Sequence, residues 1–156
     1  MEISKVLISQ EEIENKVSEL ANEINSKYKG KELVVIGILK GAFIVVSDLA
    51  KQLNLDVTFD FMSIKSYYGS ESTGQVKIVK DLEYDITDKN VLIVEDIYDT
   101  GLTLSNLKKL LESRNPKSIE VFSMFVKKEV AQDPIEINYS GFEIGPEFVV
   151  GYGLDY

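Results

Sequence analysis

Residues 91–104 read Val-Leu-Ile-Val-Glu-Asp-Ile-Tyr-Asp-Thr-Gly-Leu-Thr-Leu. Val91 to Val94 is a short, fully apolar run, the pattern of a strand buried on both faces. It leads into two acids, Glu95 and Asp96, and then into Asp99, Thr100, Gly101, Leu102 and Thr103. Leu104, Leu107, Leu110 and Leu111 follow at helical spacing, and the helix stops before Pro116. A buried strand, a polar turn and an amphipathic helix in that order predict an α/β protein.

The rest of the chain repeats this alternation. Ser9 and Glu12 form a capping-box signature. Ile13, Val17, Leu20, Ile24 and Tyr28 then define a first helix, which Gly30 ends. Leu33 to Ile38 is a second strand of the doubly buried type. Val45, Val46, Leu49 and Leu53 mark another helix, and Val57 to Ile64 another strand. Residues 65–75, Lys-Ser-Tyr-Tyr-Gly-Ser-Glu-Ser-Thr-Gly-Gln, predict an exposed mobile loop. Val76 to Val79 is the returning strand, Ile119 to Val126 a further one, and Glu147 to Val150 the last. Strands alternating with helices predict a mostly parallel twisted sheet covered by helices on both faces. Ligands of such sheets sit beyond the carboxyl ends of the strands.

The length of 156 residues suits a single domain spanning 1–156. A chain this long buries roughly 70% of its unfolded surface and folds without staples. There are 26 acids against 17 bases, a formal charge of −9, which argues against nucleic acid as a partner. Cysteine and histidine are both absent. Thiolate sites and a serine–histidine triad are excluded, and acid–base work falls to carboxylates, lysine or tyrosine. No apolar run is long enough to span a membrane. Met1 to Gln10 has no signal-peptide character, so a cytoplasmic protein is expected.

The turn after Val94 combines two devices. Backbone N–H groups, hydroxyls and a helix N-terminus suit a phosphate. The neighbouring carboxylates suit sugar hydroxyls or a hydrated Mg²⁺. Together they fit a ligand that carries phosphate, hydroxyls and a divalent cation. An acidic pair alone would also serve as a polar strand end and helix cap, and it resembles the metal site of response-regulator receivers.

The full pattern, with Asp99-Thr100-Gly101-Leu102-Thr103 at fixed offset from Glu95-Asp96, resembles the phosphoribosyl pyrophosphate motif of type I phosphoribosyltransferases. The likeness covers nearly the whole chain, and the branch is that of the hypoxanthine-guanine phosphoribosyltransferases. It implies the type I phosphoribosyltransferase fold with a small purine hood at about 127–156 and a closing loop at about 65–75. Leu39-Lys40-Gly41 matches the pyrophosphate loop, where the family often carries a non-proline cis peptide. Ser66 and Tyr67 match the loop pair that contacts pyrophosphate. Lys127 matches the lysine that donates to the purine 6-oxygen; an ammonium is donor-only, which disfavours a 6-amino purine. Phe148 matches the aromatic stacked on the base, and Val149 the residue whose backbone reads the base edge. Asp155 matches an acid near a second metal and the base.

By the same resemblance, phosphoribosyl is transferred from phosphoribosyl pyrophosphate to hypoxanthine, and to guanine, giving IMP or GMP and pyrophosphate in purine salvage. Mg²⁺ is the implied cofactor, with Glu95, Asp96 and Asp155 as its acids. Asp99 is the implied catalytic group at the purine N7. Glu95 and Asp96 would take the ribose hydroxyls, and Thr100, Gly101, Leu102 and Thr103 the 5-phosphate, with Lys40 and Gly41 at the pyrophosphate. A homodimer or homotetramer is the implied assembly.

Two departures stand out. Leu102 occupies a position where some relatives carry Lys or Arg. Family members also usually continue past the position of Tyr156 with an arginine for the pyrophosphate and a final strand. This sequence stops at Tyr156, and Arg114 is its only arginine. Two other functions are weighed against the enzyme. One is a non-catalytic module binding phosphoribosyl pyrophosphate or a nucleotide on the same fold. The other is a receiver-like phosphoacceptor, against which the Thr-Gly-x-Thr turn and the hood-like tail both speak.

Overall fold

The computed structural model describes residues 8–66, 76–99, 102–127, 135–145 and 152. Helix α1 (Gln10–Lys27) begins at the expected capping box. The Ser9 hydroxyl accepts from the Glu12 N–H at 3.1 Å, and the Glu12 carboxylate accepts from the Ser9 N–H at 3.1 Å. The elements that follow are β1 (Glu32–Leu39), α2 (Phe43–Ala50), β2 (Asp56–Ser66), β3 (Val76–Lys80) and β4 (Asn90–Tyr98). Then come α3 (Leu102–Glu112), β5 (Ser118–Lys127) and β6 (Tyr139–Ile144). The sheet order is β3-β2-β1-β4-β5-β6. All neighbours are parallel except β3, which returns antiparallel along β2.

Alternation along the central strands splits the core between two faces. Val35, Leu92, Val94, Phe122 and Met124 pack with α1 and α2. Val34, Ile36, Val91, Ile93 and Val121 pack with Leu104, Leu107 and Leu111 of α3. Helices thus cover both faces, as the alternation of elements predicts. Gly37 lets α2 sit close on β1: a Cβ there would lie 2.8 Å from the Val46 side chain and 2.9 Å from the Phe61 ring.

Some boundaries differ from expectation. Helix α2 ends at Ala50, so Leu53 packs from the turn beyond it. Lys65 and Ser66, expected in the loop at about 65–75, belong to β2, where they pair with Lys77 and Val76. Residues 67–75 lie outside the described residues. Strand β6 is not among the expected elements. Its sequence, Tyr-Ser-Gly-Phe-Glu-Ile, has no apolar run; pairing with β5 and a hydrogen bond from the Val121 N–H to the Asn138 side chain (2.8 Å) define it instead. The strand expected at Glu147–Val150 lies outside the described residues.

One buried acid ties together α1, β5 and β6. The Glu120 carboxylate accepts from Lys27, from the Tyr28 hydroxyl and, at 2.8 Å, from the Tyr139 hydroxyl. The only arginine is likewise a fastener: Arg114 holds Asp81 in a two-pronged ion pair at 2.8 and 2.9 Å.

Candidate functional site

The chain leaves β1 toward β2 on one side and enters β4 on the other, so β1 and β4 are adjacent strands whose connections diverge. That is the switch point of an open α/β sheet, where a crevice forms beyond the carboxyl ends of the strands. Two of the expected site segments flank it. Leu39-Lys40-Gly41 leaves β1, with a cis peptide between Leu39 and Lys40. Glu95, Asp96 and Asp99 lie at the end of β4.

The two segments touch. A Cβ built on Gly41 would lie 2.1 Å from the Asp96 carboxylate oxygen, an impossible contact. Gly41 thus makes a close approach, in which the backbone of the β1–α2 turn lies against the Asp96 acid of β4. Asp96 is buried and accepts from the Ile97 N–H at 2.8 Å. Glu95 precedes it on the strand, and both acids lie within the last four residues of β4. Removal from water and then the Asp96 charge push the Glu95 carboxyl well above the usual glutamate range; the Asp96 N–H opposes this weakly. Glu95 keeps partial exposure by surface area, and burial and like charge act on it in the same direction.

Asp99 is half exposed just beyond β4. Its carboxylate lies 3.4 Å from the Lys127 ammonium at the end of β5, which is 20% exposed. Residues 28 apart in sequence are thus joined because β4 and β5 run parallel in register, with Ile97 opposite Phe125 and Tyr98 opposite Val126. Helix α3 starts at Leu102, three residues after Asp99, with Thr103 in its first turn. Its N-terminus adds positive potential at the mouth of the crevice.

Beneath Lys127 lies an aromatic group that the sequence did not single out. Phe125 stacks on Phe142 of β6 at 6.2 Å, and the Tyr152 ring meets Phe125 edge-on at 6.3 Å. The Tyr152 hydroxyl donates to the Asp48 carboxylate of α2 at 2.7 Å.

The structure therefore brings Gly41 to Asp96 and Asp99 to Lys127. Lys40 is exposed at the turn after β1, and Ser66 closes β2 on the far side of β1. Tyr67, Thr100, Gly101, Phe148, Val149 and Asp155 lie outside the described residues. Among the described residues no three acids or other ligating side chains gather into a metal cage. The adjacent Glu95 and Asp96 carboxylates nevertheless suit a hydrated Mg²⁺, which typically takes one or two carboxylates together with substrate phosphates and water. No described helix is long and apolar enough to cross a membrane.

Known proteins with these features agree with one another. The phosphoribosyl transferase domain matches residues 8–156. A hypoxanthine-guanine phosphoribosyltransferase of Staphylococcus aureus strain Mu50 is 45% identical over 99% of this chain and 87% of its own length. A hypoxanthine phosphoribosyltransferase of Buchnera aphidicola is 46% identical over 97% of this chain and 88% of its own. The crystal structure of a hypoxanthine-guanine phosphoribosyltransferase from Bacillus anthracis superimposes with a TM-score of 0.93 at 43% identity, covering 99% of this chain and 90% of that one.

Proposed function

This chain belongs to the phosphoribosyl transferase domain family, and from that premise we propose that it is a hypoxanthine-guanine phosphoribosyltransferase of purine salvage. The supporting observation is the meeting of Asp99 and Lys127 at the crevice between β1, β4 and β5. An acceptor and a donor-only cation side by side match one edge of a 6-oxopurine, where a protonated N7 sits next to the 6-oxygen.

In this reading phosphoribosyl pyrophosphate lies across the switch point. Glu95 and Asp96 accept from its ribose hydroxyls. Thr100, Gly101, Leu102 and Thr103, with the α3 N-terminus, receive the 5-phosphate. Lys40, Gly41, Ser66 and Tyr67 face the pyrophosphate. Lys127 donates to the purine 6-oxygen, Phe148 stacks on the ring, and the Val149 backbone reads its edge. The bond from the ribose anomeric carbon to pyrophosphate breaks, and the electron pair leaves with pyrophosphate. A purine nitrogen bonds to the carbon, and the purine proton passes to Asp99 as general base. The chain's share of the work is largely positioning of two substrates. Glu95, Asp96 and Asp155 would hold Mg²⁺, which would supply positive charge to the departing pyrophosphate. The products are IMP or GMP. Cytoplasmic location and a homodimer or homotetramer complete the proposal.

Lys127→Gln tests the assignment. An amide can both donate and accept, so preference for hypoxanthine over adenine should collapse, with kcat/KM for hypoxanthine falling about 100-fold or more. An unchanged preference would remove Lys127 from purine recognition.

A further inference from the structure

We propose that Tyr152 and Asp48 form a strut that positions the C-terminal purine-side segment, making both positioning residues for purine binding. The inference rests on the functional reading above, which places Phe148, Val149 and Asp155 at the base. Tyr152 lies three residues after Val149 and three before Asp155.

Three observations converge on Tyr152. Its hydroxyl donates to the Asp48 carboxylate at 2.7 Å. Asp48 is on α2, the helix that directly follows Lys40 and Gly41. Its ring packs edge-on against Phe125, two residues before Lys127 on β5. One side chain therefore joins the tail to the helix behind the pyrophosphate loop and to the strand that carries the 6-oxygen donor.

The backbone supports a specific demand for this side chain. Tyr152 has φ of +52°, in the left-handed region that favours glycine, and it stands between Gly151 and Gly153. A large residue persists in that conformation when its surroundings over-determine it. The Asp48 hydrogen bond and the Phe125 contact supply that determination. Burial, and then the bond to Asp48, push the phenol above its ordinary range, so the hydroxyl stays protonated and remains a donor at any working pH. Nothing in the proposed chemistry uses either group directly, since Asp48 lies on a helix behind the loop.

The test combines kinetics with hydrogen–deuterium exchange on the full chain. Tyr152→Phe removes only the hydroxyl. It should raise KM for hypoxanthine about 5- to 10-fold, leaving kcat and KM for phosphoribosyl pyrophosphate within twofold. Asp48→Ala should do the same, Asp48→Asn should restore most of the loss because its amide oxygen still accepts, and the Tyr152→Phe/Asp48→Ala double variant should be no worse than either single one. Exchange of the amides at 145–156 should quicken in Tyr152→Phe while that of β1 and β4 stays unchanged. Unaltered KM for hypoxanthine, or equal losses in every kinetic constant, would overturn the positioning role. Unaltered exchange would overturn the strut itself. A wild-type protein that forms no nucleotide would overturn the functional reading instead, and the exchange result would still decide the strut.

Discussion

Glu120 on β5 and Glu95 on β4 are acids withdrawn from water on neighbouring strands, and the fold treats them in opposite ways. Glu120 sits beside the start of the strands, where Leu92 of β4 is its register partner. Burial alone would raise its pKa, but hydrogen bonds from Lys27, Tyr28 and Tyr139 outweigh that and hold it below the usual glutamate value. Glu95 lies three register positions further along, opposite Ser123, and receives a neighbouring negative charge instead. A carboxylate with three donors stabilises the native state, whereas one crowded by a second carboxylate costs stability. The fold tolerates that cost where the strands end and a cation-bearing ligand is proposed to bind. The difference separates an acid that holds the structure from one whose proposed role is to meet a ligand.

The sharpest way to break the comparison is to remove one acid of each kind. Asp99→Ala should lower kcat about 100- to 10,000-fold, the range of a lost general base. Its Tm should stay within about 2 °C, because a half-exposed ion pair contributes little to stability. Steady-state assays and a thermal melt check both halves. Glu120→Ala should do the reverse. It should cost about 3 kcal/mol, or about 6–12 °C in Tm, because two tyrosine hydroxyls lose their acceptor. Its kcat at 25 °C should remain within twofold.

The effect of pH sharpens the contrast. The Glu120 pKa is depressed on folding, so its contribution is present above the unfolded value of 4.5 and is lost as pH falls through the folded one. The gap in Tm between Glu120→Ala and wild type should therefore narrow in acid. Glu95 behaves oppositely. Its folded pKa is raised, so the native state binds the extra proton and stability falls as pH rises from 4.5 through the folded value. Glu95→Gln should raise the Tm of the ligand-free protein at pH 8 by about 2–4 °C, the shift that ~1 kcal/mol gives in a domain of this size. Melts repeated down to pH 4.5 should show that gain disappear. The smallest effect is expected at Arg114. Arg114→Lys loses the two-pronged geometry with Asp81, a partly exposed pair, and should cost about 1 kcal/mol or less with activity unchanged.

Much of this was legible in the sequence because one signal dominated each element. The apolar runs at Leu33–Ile38 and Val91–Val94 carry the pattern of strands buried on both faces, and the Ser9–Glu12 box announces its helix. The acids at Glu95 and Asp96 stood out because they interrupt such a run at its end. Strand β6 was not legible, because an edge strand with a central Gly and mixed polarity owes its state to pairing with β5 rather than to its own pattern. The Glu120 cluster escaped for a related reason: Lys27, Tyr28, Glu120 and Tyr139 are far apart in the chain and carry no motif. Tyr152 stood within the expected hood at about 127–156, yet only the fold brings Asp48 to it. Its position between two glycines was the one local hint.

The most direct test is a spectrophotometric assay of the wild-type chain with phosphoribosyl pyrophosphate, Mg²⁺ and, in turn, hypoxanthine, guanine, xanthine and adenine. Nucleotide should form from a 6-oxopurine and not from adenine, and chelation of Mg²⁺ should abolish it. Nucleotide formation from adenine at a comparable rate would contradict the role of Lys127. Absence of turnover with every base, in protein that still binds phosphoribosyl pyrophosphate, would contradict the enzyme and leave a binding module on the same fold.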